Sequence, residues 1–236
     1  MNSAPGQVPD GPEPDLERVW LGVASEVWRR RPGPCERLAA RALRSPGLAR
    51  ALLTTPSLLL PWLVASVLVF ALGAVASVGT GQPVVALAAP ALAAVAVAYA
   101  YGPGLDPAWE LSRSMAVSDR SVLLARVLAV FALDAALGLL ASAVSGAAAA
   151  VAFGWLAPMT AVSALALAVA TTARSPNAGA AAGMGAWAVA VLSGQSATGR
   201  VAEAVTGSAF VLPCLALAAG CSVVVLVMTR TPKGLS

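Results

Sequence analysis

The chain has 236 residues, of which 58% are hydrophobic and 11% charged, with a mean hydropathy of +0.80 and a formal net charge of +4. A soluble domain averages about 45–50% apolar and about 25% charged residues, so this composition excludes an ordinary water-soluble globule and fits a chain solvated by lipid. With no histidine and no GxxxxGK[ST] run, imidazole-based acid–base catalysis, Ser-His-Asp triads, imidazole metal sites and a P-loop are all excluded.

In chain order, residues 1–14 are rich in Pro, Gly and acids and lack the apolar h-region of an export signal. They carry too little apolar surface to offset the entropy of ordering, so a disordered tail is expected. Residues 15–57 form a cytoplasmic or interfacial helical segment. Leu16, Val19, Trp20, Val23, Ala24, Val27 and Trp28 recur at helical spacing, with Glu17, Arg18, Ser25 and Glu26 opposite. Trp20 and Trp28 on one stripe suit a helix lying in the headgroup region; packing on a soluble partner is the alternative. From Cys35 to Arg50, Arg37, Arg41 and Arg44 line one side of a second, basic helix on the inner leaflet.

Six apolar runs follow, near 58–78, 84–101, 121–145, 147–172, 178–193 and 209–229. Each is compared with the about 20 helical residues that cross a hydrocarbon core. Gly79-Thr80-Gly81-Gln82-Pro83 reads as a tight turn and Arg174-Ser175-Pro176-Asn177 as a helix stop and restart. Runs three and four meet at Ser145-Gly146 and together are too long for one crossing, which forces a hairpin. The fifth run is short, and re-entrant geometry is open there. Of the 15 basic residues, all but Arg126 and Arg200 fall on one side of this arrangement. The positive-inside rule makes that side cytoplasmic, with both termini inside, as an even number of spans requires. The isoelectric point of about 9.5 then follows from basic flanks facing anionic lipid and needs no nucleic acid.

Within the spans, Asp134 is the one acidic residue and sits near mid-membrane. Such a group usually faces the bundle interior or a watery path. A carboxyl hydrogen-bonded to a neighbouring helix is favoured over a substrate-path or protonation site. Arg126, toward the cytoplasmic end of the same run, is expected to snorkel, and the about 80° between them makes them no natural pair. Gly138, Ser142 and Gly146 form a small-residue row, and Gly179 and Gly183 form GxxxG. Both patterns let helix backbones approach closely, within one chain by default or between two. Pro158 is expected to kink the fourth span. Cys35, Cys214 and Cys221 follow no pairing or metal-binding spacing and read as small buried residues. No metal site is expected.

The charged stretch YGPGLDPAWELSRSMAVSDR, residues 101–120, interrupts the apolar sequence. Asp106-Pro107 is a helix start, an N-cap acid with proline at the first helical position. Ala108, Leu111 and Met115 line one face and Trp109 and Arg113 another, before Val117-Ser118-Asp119 breaks the helix ahead of the third span. A push on such a helix would pass to that span with little slack.

The run WELSRSMAVSDRSVLLARVLAVFAL resembles the stretch after the second span of type-2 ATP-binding-cassette exporter permeases. Glu110, Val117-Ser118, Asp119-Arg120 and Arg126 stand where that family has a Glu, a P/V-S step, a polar pair and one basic residue in an apolar run. Six spans, cytoplasmic termini and an amphipathic N-terminal helix are also similar to that family. The phrase YGPG-DPA-E is similar to short bacterial membrane proteins, some of them relatives of regions beside zinc-finger anti-sigma domains. This chain lacks the His and the clustered Cys of such a finger, so zinc binding does not carry over. The resemblance implies that the insert is a coupling helix docking on a separate ATPase subunit through Asp106, Trp109, Glu110, Arg113, Met115, Asp119 and Arg120. It also implies that ATP and Mg belong to that subunit, with none on this chain, and that residues 194–208 with the short fifth run would stand where the family often carries short re-entrant helices in its last outer loop.

The expectation is therefore an all-α, polytopic inner-membrane protein of about six transmembrane helices. Residues 1–14 are the tail, 15–57 the interfacial segment, 58–230 the membrane domain and 231–236 a cytoplasmic tail. It would be no enzyme itself but a permease subunit of an exporter, paired with an identical or related second chain, surrounded by lipid and coupled through residues 104–120. The alternative is a membrane-anchored regulator, anti-sigma-like or a scaffold, that holds a cytoplasmic partner through residues 15–50.

Overall fold

The computed structural model describes residues 15–29, 33–44, 46, 56–101, 119–199 and 211–230. Every element among them is a helix. Four stretches are long and apolar enough to cross a membrane: Pro61–Thr80, Arg120–Val144, Val151–Ala173 and Val211–Met228.

Two helices precede these. α1 (Leu16–Arg29) starts where the Asp15 carboxylate accepts the Arg18 N–H at 3.1 Å, a side-chain cap on an otherwise orphaned donor. α2 (Pro34–Leu43) has Pro34 in its first turn and ends at Arg44 in the left-handed region, φ 49°.

α3 (Pro56–Thr80) and α4 (Val84–Tyr99) are joined by the turn at Gly81, φ +67°. Ser77 ties that turn together: its hydroxyl donates to Gly73 O at 2.8 Å and accepts from the Val85 N–H at 3.4 Å. α4 is short and alanine-rich, yet nine of its 16 residues are buried. It lies at the centre of the bundle because small side chains let helices approach it from several sides at once. Pro90 interrupts its hydrogen-bond ladder, and in the turn before it Leu87 O accepts the indole N–H of Trp187 at 2.8 Å. A neighbouring helix thus serves a carbonyl beside the proline, the condition under which proline is tolerated in an apolar span.

α5 (Asp119–Val144) is one unbroken helix of 26 residues. It closes in a Schellman motif, with Gly146 N–H to Ala143 O and Ala147 N–H to Ser142 O, both 3.1 Å, and Gly146 at φ +71°. The next limb is broken into α6 (Ala149–Gly154) and α7 (Leu156–Ala173) by a turn at Trp155. Pro158 accounts for the position of the break. Its ring clashes with the carbonyl four residues earlier, Gly154, and its missing N–H is harmless in the first turn of α7.

α7 stops at Arg174, φ 52°, and α8 (Pro176–Thr198) restarts at once, with Ser175 Oγ accepting the Ala178 N–H at 3.3 Å. The sequence places a short run of 16 residues here; the helix has 23, which rise about 34 Å. Ser175 and Pro176 begin it earlier than hydropathy indicates. At its other end Ser193 and Ser196 return their hydroxyls to Ala190 O and Ser193 O, so a polar stretch stays helical until Gly199, φ +69°. α9 (Val211–Met228) packs chiefly against α7 and exposes most of its surface.

α4 and α7 form the middle of the bundle. α4 meets α3, α5, α6, α7 and α8, and α7 also meets α8 and α9. The α3–α4 turn and the α5–α6 turn share one end of the molecule, where they border a common cavity of about 460 Å³. At the other end Tyr99 OH donates to Asn177 Oδ1 at 2.7 Å, tying the end of α4 to the start of α8.

Candidate functional site

The polar chemistry of the bundle gathers on the seam between α3 and α5. A four-residue repeat on α5 brings Val130, Asp134, Gly138 and Ser142 to its buried side, and Trp62, Ser66, Phe70 and Ala74 do the same on α3. The two rows meet in layers. Asp134, fully buried, faces the fully buried Ser66. One turn further along, Gly138 opens a notch for the fully buried ring of Trp155: a Cβ on Gly138 would lie 2.7 Å from that ring and 3.2 Å from Phe70.

Among the described residues, neither carboxyl oxygen of Asp134 has a partner in good hydrogen-bond geometry, and the same is true of Ser66 Oγ and of the indole nitrogens of Trp62 and Trp155. The favoured sequence reading of Asp134 places it against a neighbouring helix, and the group that approaches it is the Ser66 hydroxyl of α3, close enough to interact with the carboxyl but outside strict hydrogen-bond geometry. Buried polar groups are nearly always partnered, so a carboxyl left in this state is the most unusual chemical feature of the bundle. Arg126 lies two turns earlier on α5 and is half-buried.

The glycine pair of α8 is used inside the chain. A Cβ on Gly179 would come within 2.7 Å of Ala170 Cβ, and one on Gly183 within 2.8 Å of Ala94 Cβ and 2.9 Å of Ala166 Cβ. The row therefore lets α8 settle against α7 and α4. Ser142, also buried, supplies the carbonyl that closes the Schellman turn.

A second feature is an apolar groove of about 390 Å³ between α5, α7 and α9, floored by Val97 of α4. Thr160 and Ser222 line it but donate their hydroxyls to Ala157 O and Ala218 O, each at 2.7 Å. The Ser163 hydroxyl in the same wall is buried without a partner.

On α1 the residues Leu16, Val19, Trp20 and Val23 are all exposed, and on α2 Arg37, Arg41 and Arg44 are exposed as well. The Trp28 side chain lies outside the described residues. So does most of the charged insert: Asp106, Trp109, Glu110, Arg113 and Met115 are not among them, while Asp119 opens α5 and Arg120 follows it, half-buried. Cys214 is half-buried and Cys221 buried, both as free thiols. Among the described residues no group of three or more His, Cys, Asp or Glu side chains is placed to hold a metal.

Sequence reasoning did not single out Ser66, Trp62 or Trp155. One signal was legible: Ser66 is the single hydroxyl between Leu58 and Gly73. That it faces Asp134 depends on how α3 and α5 rotate against each other, which no local pattern specifies. No family model, curated protein or solved structure matches the chain.

Proposed function

We propose that this chain is the membrane-embedded permease subunit of an ATP-binding-cassette exporter, crossing the membrane six times with both termini in the cytoplasm. The observation that carries the reading is α5, an uninterrupted helix that starts at Asp119, directly after the charged insert, and reaches the middle of the bundle, where it packs on α3 and α4. A rigid rod of this kind transmits displacement along its length, because helices bend appreciably only at proline, glycine pairs or bulges. Force applied to residues 104–120 by a separate ATPase subunit would therefore arrive at the seam that holds Asp134. ATP hydrolysis belongs to that partner, and a second permease chain, identical or related, completes the export path. The groove between α5, α7 and α9 supports this reading as an apolar path wall.

One observation favours a second reading. The exposed apolar row Leu16, Val19, Trp20 and Val23 of α1 is also what a regulator would present to a soluble cytoplasmic partner. Co-purification of the tagged chain from native membranes in mild detergent separates the two. A stoichiometric ATPase subunit is expected, retained when residues 1–14 are deleted and reduced at least tenfold by the double charge reversal Glu110→Lys, Arg113→Glu. Recovery of a soluble regulator that depends on residues 15–50 and ignores the double reversal would replace the exporter with a membrane anchor.

A further inference from the structure

We propose that Asp134, with Ser66 beside it, is a proton-binding site within the bundle, and that its proton is exchanged when the α3–α5 seam admits water. The inference stands whether or not the chain is an export subunit, because it uses only the packing of α3, α4, α5 and α6.

Three observations lead to it. The carboxyl is completely buried, and among the described residues its one polar neighbour is the Ser66 hydroxyl, which stands outside strict hydrogen-bond geometry. An isolated carboxylate in such surroundings is far more costly than a neutral acid, and a group placed there carries a proton instead of a charge. The second observation is the lack of a counter-charge. α3 and α6 contain no titratable side chain, and α4 contains only Tyr99, which is exposed at the far end of its helix and donates to Asn177. On α5 itself the charged groups are Asp119 and Arg120 in the first turn and Arg126 two turns before Asp134. No described helix packed on α5 turns a cation toward the carboxyl.

The third observation decides between a proton and a metal ion. A hard cation needs about six oxygen ligands, whereas among the described residues Ser66 Oγ is the one side-chain oxygen recorded beside Asp134. The next layer is filled by Phe70 and Trp155, and Asp134 lines neither the groove nor the cavity at the turn end. A proton is the ligand that needs no coordination shell and no cavity. Water is what an ionised carboxylate needs, so deprotonation goes with a parting of the α3 and α5 rows, which meet at Ser66 and Asp134 and, one turn on, at Phe70 and Gly138.

The test is infrared difference spectroscopy on the full chain in lipid vesicles. At neutral pH the wild type is expected to show the carbonyl stretch of a protonated carboxylic acid that is absent from Asp134→Asn and displaced in Asp134→Glu. The band should shift in deuterated water and give way to a carboxylate stretch as the pH is raised. Should Asp134→Asn fail to fold, carbon-13 labelling of aspartate assigns the band in the wild-type chain. A carboxylate signal at neutral pH would overturn the proposal, since it would mean that a cation outside the described residues pairs with Asp134. An acid band that neither exchanges nor responds to pH would overturn it equally, leaving a permanently neutral structural group.

Discussion

At Gly183 the space for a side chain is already occupied. A Cβ there would sit 2.8 Å from Ala94 and 2.9 Å from Ala166, while one at Gly185, two residues along the same helix, would meet nothing within 4 Å. The neighbours of Gly183 are methyl groups carried directly on the backbones of α4 and α7, so relief requires whole helices to move. Gly183→Leu is expected to destabilise the bundle by about 1–3 kcal/mol, the usual cost of overpacking a core. Gly185→Ala should be neutral or stabilising by up to about 1 kcal/mol, since alanine is the better helix former and gains no clash. Thermal unfolding of both variants in detergent, followed by circular dichroism, checks the pair. If both lose stability alike, the α8–α7 contact is not as close as described. Asp134 belongs to the same scale but differs in kind. The residue was visible in the sequence as the lone acid of the spans; its apposition to Ser66 was not, because that is a property of the neighbouring helix.

The elements show where local chemistry is sufficient. Ser145-Gly146 marks the end of α5 because the chain must reverse there and only glycine enters the left-handed region without cost. Gly146→Ala is expected to lower stability by about 1 kcal/mol, the penalty for a Cβ at positive φ, with chemical denaturation in detergent as the measurement. An unchanged midpoint would show that the Schellman turn is not held. Arg174-Ser175-Pro176-Asn177 is legible in the same way, as a helix stop followed by a cap and a proline. α8 was legible only in part. Hydropathy follows the apolar residues and ends at Ser193, whereas the helix continues through Ser193 and Ser196 because their hydroxyls bond back to the preceding turn. Pro158 shows the reverse limit. Its sequence position suggests a bend at the proline, and the break falls three residues earlier, at Trp155, since the clash is with the carbonyl of the preceding turn.

At the scale of the whole molecule, charge and packing address different questions. The clustering of basic residues on alternate loops is the basis of the proposed orientation, whereas the shared cavity at one end and the Tyr99–Asn177 bond at the other show which turns lie together. In a variant with Cys35, Cys214 and Cys221 removed, Gln82→Cys is expected to react with an impermeant thiol reagent from outside intact cells. Arg230→Cys should react only after permeabilisation. Labelling of both from the same side would remove the proposed six-pass topology and, with it, the cytoplasmic placement of the insert.

Sequence alone determined that the chain is helical and apolar enough to cross a membrane, where several of its turns fall, and that one acid stands among apolar residues. These properties follow from composition, from the 3.6-residue period and from the special conformations of glycine and proline, all of which act over a few residues. Tertiary structure decided that the short, alanine-rich α4 lies at the centre, that the Gly179–Gly183 row is used within the chain, and that Asp134 meets Ser66 of α3. Each of these depends on the rotation of one helix against another, and in an apolar bundle that rotation is set by the fit of small side chains summed over the whole interface.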